Sequence, residues 1–176
     1  METDEELMRR YVAGEGGAFR VLFERYSSKM LQVMRRQIRD PQDAQELVQQ
    51  TFLQLHRARF DFRPGAQVKP WLYTIALNLR RDHGRRLGRS RLVALDEAPE
   101  QAGEVPDPAR AQEQRRLRAA VEALPEGYRA VIELHWFEGM PFGEVAEVLG
   151  IGLSAAKTRA HRAYEMLKMD MGGSEL

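Results

Sequence analysis

Lys157, Thr158, His161 and Arg162 stand at relative offsets of 0, 1, 4 and 5. At about 100° per residue, a helix carries all four on one face. Lysine and arginine reach phosphate oxygens or guanine edges. Threonine and histidine donate or accept at base edges. The chemistry on offer is recognition of a nucleic acid. An earlier group is denser still: Arg80, Arg81, Arg85, Arg86, Arg89 and Arg91. Asp96, Glu97, Glu100, Glu104 and Asp107 come after it. The net charge is only +1, so the information lies in the distribution of charge. Two basic clusters with an acidic stretch between them fit one polyanion held at two points.

Catalytic chemistry is not expected. His56, His83, His135 and His161 are scattered and lack the spacings of common metal sites. There is no cysteine, which excludes disulfides and thiolate ligands. No glycine-rich loop precedes a helix in the manner of a phosphate cradle, and no nucleophile has a base at motif spacing. Neither a metal nor a cofactor is expected. No apolar run approaches the roughly 18–20 residues that span a bilayer. Asp4, Glu5 and Glu6 make the N-terminus acidic, unlike the start of a signal peptide. The expected location is the cytoplasm. Hydrophobic residues at 43% leave enough apolar side chains for packed cores.

The elements that must position these groups read as helices. Thr3 and Glu6 have capping-box spacing, so a helix runs from Thr3 to about Ala13. Gly14, Gly16 and Gly17 interrupt it. A second helix carries Phe19, Leu22, Phe23, Tyr26, Met30, Leu31, Val33 and Met34 at three- and four-residue spacing. Asp40-Pro41 starts a third, because Asp40 can cap and Pro41 suits the first helical position. Its apolar set is Ala44, Leu47, Val48, Phe52 and Leu55; its polar face carries Asp43, Glu46, Gln49, Gln50 and Gln54. Phe60 to Gly65 reads as a loop. Pro70 starts a fourth helix with Trp71, Leu72, Ile75, Ala76 and Leu79 inward, frayed by Gly84 and Gly88.

Residues 89–109 contain Pro99, Gly103, Pro106 and Pro108, are acidic and lack periodicity. They read as an extended linker. Beyond it, Leu117, Val121 and Leu124 mark a helix that stops before Pro125. Tyr128, Val131, Ile132, Leu134 and Trp136 mark another, ended by Gly139. Phe142, Val145, Ala146 and Leu149 mark a short third, which leads to a turn at Gly150, Ile151 and Gly152. Leu153, Ala156, Ala160, Ala163 and Leu167 are the expected inward face of the last. Two helices joined by a glycine turn, the second basic, form the helix-turn-helix pattern. The expected fold is all-α: two small helical bundles joined by a flexible acidic linker, the second containing a helix-turn-helix.

Several strings together carry a family resemblance. They are Asp43-Ala44-Gln45-Glu46-Leu47-Val48-Gln49-Gln50-Thr51-Phe52, then Trp71-Leu72-Tyr73-Thr74-Ile75-Ala76-Leu77-Asn78-Leu79 with Asp82-His83 and Arg85-Arg86. In the second half they are Leu124-Pro125, Gly139, Glu144-Val145-Ala146, Leu149-Gly150-Ile151, Lys157-Thr158-Arg159 and Arg162-Ala163. With these, in this order and spacing, the chain resembles an extracytoplasmic-function sigma factor of the sigma-70 family. The resemblance implies a subunit that directs core RNA polymerase to promoter DNA. It divides the chain into a region 2-like domain at 1–88, the linker at 89–109 and a region 4-like domain at 110–176. It implies that Asp43, Glu46, Gln49 and Gln50 dock on the polymerase clamp. It assigns Phe62, Asn78, Arg80, Arg81, Arg85 and Arg86 to recognising and melting the −10 element. A separated strand exposes base faces for stacking and edges for hydrogen bonds. Lys157, Thr158, Arg159, His161 and Arg162 would read the −35 element. An anti-sigma factor is a further partner implied by the resemblance.

The chain departs from the family pattern in places. Gln45 and Gln50 stand where acids are usual. Pro141 stands where Ser or Thr usually precedes the first helix of the DNA-reading pair. Gly152 replaces a Ser cap, and Ser154 is the expected substitute. The alternative reading is a stand-alone helix-turn-helix regulator, which would not co-purify with core polymerase.

Overall fold

Helix α1 (Asp4–Val12) begins at the expected capping box. Thr3 Oγ1 accepts the Glu6 amide at 3.2 Å, and the Glu6 carboxylate accepts the Thr3 amide at 2.9 Å. Leu7, Met8 and Tyr11 are its buried face. Its first turn binds outward to the rest of its bundle. The Asp4 carboxylate accepts the Tyr26 hydroxyl and pairs with Arg25. Burial, and then the Asp4 bond, push the Tyr26 phenol well above its usual range. Glu5 accepts the backbone amide of Val68 at 3.2 Å. Tyr11 shares a hydrogen bond with His56.

The computed structural model describes residues 2–63, 65–90 and 108–172. These contain helices and no strand. The chain divides into two compact units, Met1–Ala98 and Pro99–Leu176. In the first, α2 (Gly16–Gln37), α3 (Pro41–Arg57) and α4 (Val68–Ser90) pack with α1. Asp40 caps α3 as expected, accepting the Gln42 amide at 2.8 Å. Leu22, Met30, Met34, Leu55, Leu72 and Tyr73 are almost completely buried. Each such side chain contributes about 1.5–3 kcal/mol through lost apolar surface. A 3₁₀ turn (Arg59–Asp61) leads from α3 towards α4.

In the second unit, α5 (Pro108–Ala123) and α6 (Glu126–Ile132) pack against α8 (Leu153–Asp170). Val121, Leu124, Ile132, Ala163 and Leu167 form a core cluster, with Leu117 and Tyr128 packed on it. Helix α7 (Phe142–Leu149) precedes α8. Between them Gly150 has φ 64° and ψ 37°. The Gly150 amide donates to Glu147 O at 3.1 Å and the Ile151 amide to Ala146 O at 3.0 Å. This is a Schellman closure, and it needs the left-handed conformation that glycine adopts without a Cβ penalty. Ala146, Ala156, Ala160 and Ala163 are buried, so small side chains let α7 and α8 approach.

The structure corrects several expectations. Helix α4 starts at Val68, before Pro70, and passes through Gly84 and Gly88 to Ser90. Once a long helix is nucleated and packed, an internal glycine costs only a propagation penalty. Its buried face includes Tyr73 and Leu77, while Trp71, Ile75 and Leu79 are only half-buried. Gly16 and Gly17 open α2 rather than interrupt the chain; the break is at residues 13–15. Beyond α6 the chain continues as a π turn (Glu133–Phe137), where the Glu138 amide reaches back to Glu133 O. The extra residue in this turn shifts the helical register, so Trp136 is 46% exposed. Leu153 is 49% exposed rather than inward. Gly152 is the α8 N-cap with no side-chain cap bond, and Ser154 lies inside the helix, so it does not replace the cap. The expected linker lies outside the described residues except at its ends, where α4 and α5 each extend about two residues into it.

Candidate nucleic-acid interface

Three surfaces carry the residues singled out by sequence. The first lies on α4. Trp71, Thr74, Asn78, Arg81 and Arg85 recur at three- and four-residue spacing, which makes one stripe. Phe62 packs on Trp71 at the start of that stripe, with ring centroids 5.2 Å apart. Asn78 is exposed about 10 Å further along the helix. Its amide oxygen accepts from Arg81 at 2.9 Å. An amide already oriented by a neighbour loses less freedom on binding. Arg85 is exposed beside Asp82 at 3.4 Å. The stripe therefore runs from aromatic rings through an amide to guanidinium groups.

The structure does not bring Arg80 and Arg86 into that stripe. Arg80 is half-buried on the opposite side of α4 from Asn78. Arg86 lines a groove between α3 and α4 with Asp43, Glu46, Asp82 and His83.

The second surface is the outer face of α3. Glu46 and Gln49 are exposed. Gln50 donates to the Glu46 carboxylate at 2.8 Å. Asp43 is turned towards α4, its carboxylate 3.2 Å from His83 Nε2. Leu53, 47% exposed, shares the Glu46 face and was missed by reading only polar residues. Its signal was its place two turns after Glu46.

The third surface is α8. Lys157, Thr158, His161 and Arg162 are exposed together, opposite the buried alanines. His161 Nε2 lies 3.6 Å from Glu165, one turn on. Arg159 is not part of this face. Its guanidinium sits beside Gly127 on α6, where an added Cβ would meet Nη1 at 3.3 Å. Sequence reading placed Trp136 only in a helix's apolar set and did not single out Tyr164; their rings meet edge-on at 5.7 Å.

Among the described residues, no group of three or more His, Asp or Glu is placed to hold a metal. No helix there is long and apolar enough to cross a membrane. His135 packs on Phe142 at 3.9 Å and bonds Met140 O at 2.7 Å. His56 pairs with Tyr11, and His83 with Asp43. The histidines therefore stand in separate local contacts.

Comparison with known proteins gives a consistent result. The family description "Sigma-70 region 2" matches residues 22–90, and "Sigma-70, region 4" matches residues 114–167. RNA polymerase sigma factor CarQ of Myxococcus xanthus is 34% identical over 172 residues, covering 96% of this chain and 98% of CarQ. RNA polymerase sigma-H factor of Pseudomonas aeruginosa is 31% identical, covering 94% of this chain and 92% of the relative. Among solved structures, CnrH in complex with the cytosolic domain of CnrY is similar with a TM-score of 0.76 at 28% identity, covering 99% of this chain and all of that one. The sigma factor RpoE of Bartonella quintana, solved with the anti-sigma factor NepR, shares the fold with a TM-score of 0.72 at 20% identity, covering 89% and 98%.

Proposed function

The chain belongs to the sigma-70 family and is an RNA polymerase sigma factor of the extracytoplasmic-function group, and from that premise we propose how its surfaces divide promoter recognition. It is an initiation factor rather than an enzyme. Residues 1–88 act as the region 2 domain, 89–109 as the linker and 110–176 as the region 4 domain. The outer face of α3 docks on core polymerase through Glu46, Gln49 and Gln50, with Leu53 adding apolar area. Asp43 borders that face and also ties α3 to α4.

Recognition and melting of the −10 element fall to the α4 stripe. Phe62 supplies a stacking face, Asn78 an amide for an exposed base edge, and Arg81 and Arg85 cations for the backbone. Arg86 serves from the neighbouring groove, and Arg80 from the inner side of the helix as a brace. The −35 element is read by Lys157, Thr158, His161 and Arg162 on α8. Arg159 supports that helix through its contact with α6. On this reading the chain works in the cytoplasm, where polymerase and promoters meet. An anti-sigma factor is a further partner, by analogy with RpoE and NepR.

The observation that carries this reading is the single stripe on α4, aromatic at one end and cationic at the other. The test compares three variants with core polymerase. Asn78→Ala should impair open-complex formation, read by permanganate footprinting, and leave duplex −35 binding unchanged. Arg162→Ala should do the reverse. A phosphate contact predicts a salt slope shallower by about one unit, whereas a base contact predicts about 1–3 kcal/mol of lost discrimination at one position. Glu46→Lys should lower core affinity while the chain stays folded. Identical defects in the first two variants would remove the division of labour.

A further inference from the structure

Helix α1 precedes the region 2 match, which begins at residue 22. It nevertheless makes polar bonds to every other helix of its unit. Asp4 binds Tyr26 and Arg25 on α2, and Tyr11 binds His56 on α3. The bond to α4 differs in kind, because it ends on a backbone amide. Val68 is the first residue of α4, and its N–H is one of the donors that a helix start leaves without an internal acceptor. A side chain at the residue just before a helix reaches the second or third amide, so the first is left to water or to a group from elsewhere in the fold. Here the acceptor is the Glu5 carboxylate, from 63 positions earlier in the chain, at 3.2 Å. Helix α1 also packs on the 3₁₀ turn Arg59–Asp61. Both flanks of the segment that carries Phe62 are therefore held by the same helix.

We propose that Glu5 is a positioning residue for the −10 surface: by holding the Val68 amide it sets where the chain enters α4 and hence where the Phe62–Trp71 pair stands. A loop with both ends fixed has fewer conformations to lose when it engages DNA. Glu5 acts through backbone position and touches no base. This inference rests on the reading of α4 as the −10 surface.

Two substitutions separate reach from charge. Glu5→Gln keeps an acceptor at the same distance without the charge. Glu5→Asp keeps the charge but withdraws the carboxylate by one methylene. With full-length chain and core polymerase, Glu5→Gln should melt a promoter at the native rate. Glu5→Asp should slow open-complex formation about fivefold, the scale of a lost helix cap, with core affinity unchanged. Normal melting by Glu5→Asp would overturn the proposal. So would a parallel fall in core affinity and melting, which marks a role in stability alone. A Glu5→Gln defect as large as that of Glu5→Asp would also overturn it, assigning the effect to charge at the helix end. Asn78→Ala belongs in the same assay. If it melts promoters normally, the reading of α4 fails and this inference fails with it. If it is defective while Glu5→Asp is normal, only the positioning role is lost.

Discussion

At the scale of single residues, the first bundle depends on polar groups whose partners are far away in sequence. Tyr26 is the clearest case. It is 5% exposed, and its hydroxyl donates to Asp4. The fold raises its pKa, so the proton is held more tightly in the folded chain than in the unfolded one. The stability this contributes is fully present below the unfolded phenol value of about 10 and is lost as the pH rises above it. Tyr11 shifts in the same direction through burial. Thermal unfolding should therefore show a Tm that falls steeply above about pH 10. Tyr26→Phe should lower the Tm at neutral pH but flatten that alkaline decline. An unchanged alkaline slope in Tyr26→Phe would show that other groups govern it.

At the scale of elements, the helix-turn-helix depends on one backbone conformation. Gly150 is left-handed, and a Cβ added there would meet nothing within 4 Å. Substitution is therefore penalised by backbone strain alone. Gly150→Ala should destabilise the second unit by about 1–2 kcal/mol, and Gly150→Asn by less, because asparagine tolerates this region better. Chemical denaturation monitored by circular dichroism measures both. The start of α8 behaves differently. Gly152 has φ −71° and ψ 152°, an ordinary extended conformation. A glycine N-cap costs only a few tenths of a kcal/mol relative to serine, which is why α8 forms without a side-chain cap.

At the scale of the whole molecule, each unit has its own buried core, and the two family matches fall one on each unit. On the proposed division of promoter recognition both units engage one DNA, and a covalent connection raises the effective concentration of each for its part of the site. A protease site introduced between Ala98 and Pro99 tests this. After cleavage, both helical units should remain folded and duplex −35 binding should persist. Promoter-specific transcription with core polymerase should fall by about 10²-fold or more. Full activity from the cleaved chain would mean that the two units bind polymerase tightly enough without the tether.

Much of this protein was determined by local sequence. The Thr3 and Asp40 caps, the Gly150 turn, the alanine face of α8 and the exposed Lys157, Thr158, His161 and Arg162 all derive from spacing. Capping, left-handed glycine and helical periodicity act over a few residues, so a short window contains their cause. What required the tertiary structure was the choice among residues of the same type. Spacing groups Arg81 and Arg85 with Asn78, but it is the packing of α4 on its neighbours that half-buries Arg80 and places Arg86 in the groove beside Asp43 and Glu46. Asp43 turns to His83, Arg159 turns to Gly127, and Glu5 caps a helix 63 positions away. The π turn exposes Trp136 by shifting the helical register. Each of these depends on a partner distant in the chain or on a change of helical period, and the local 3.6-residue pattern contains neither.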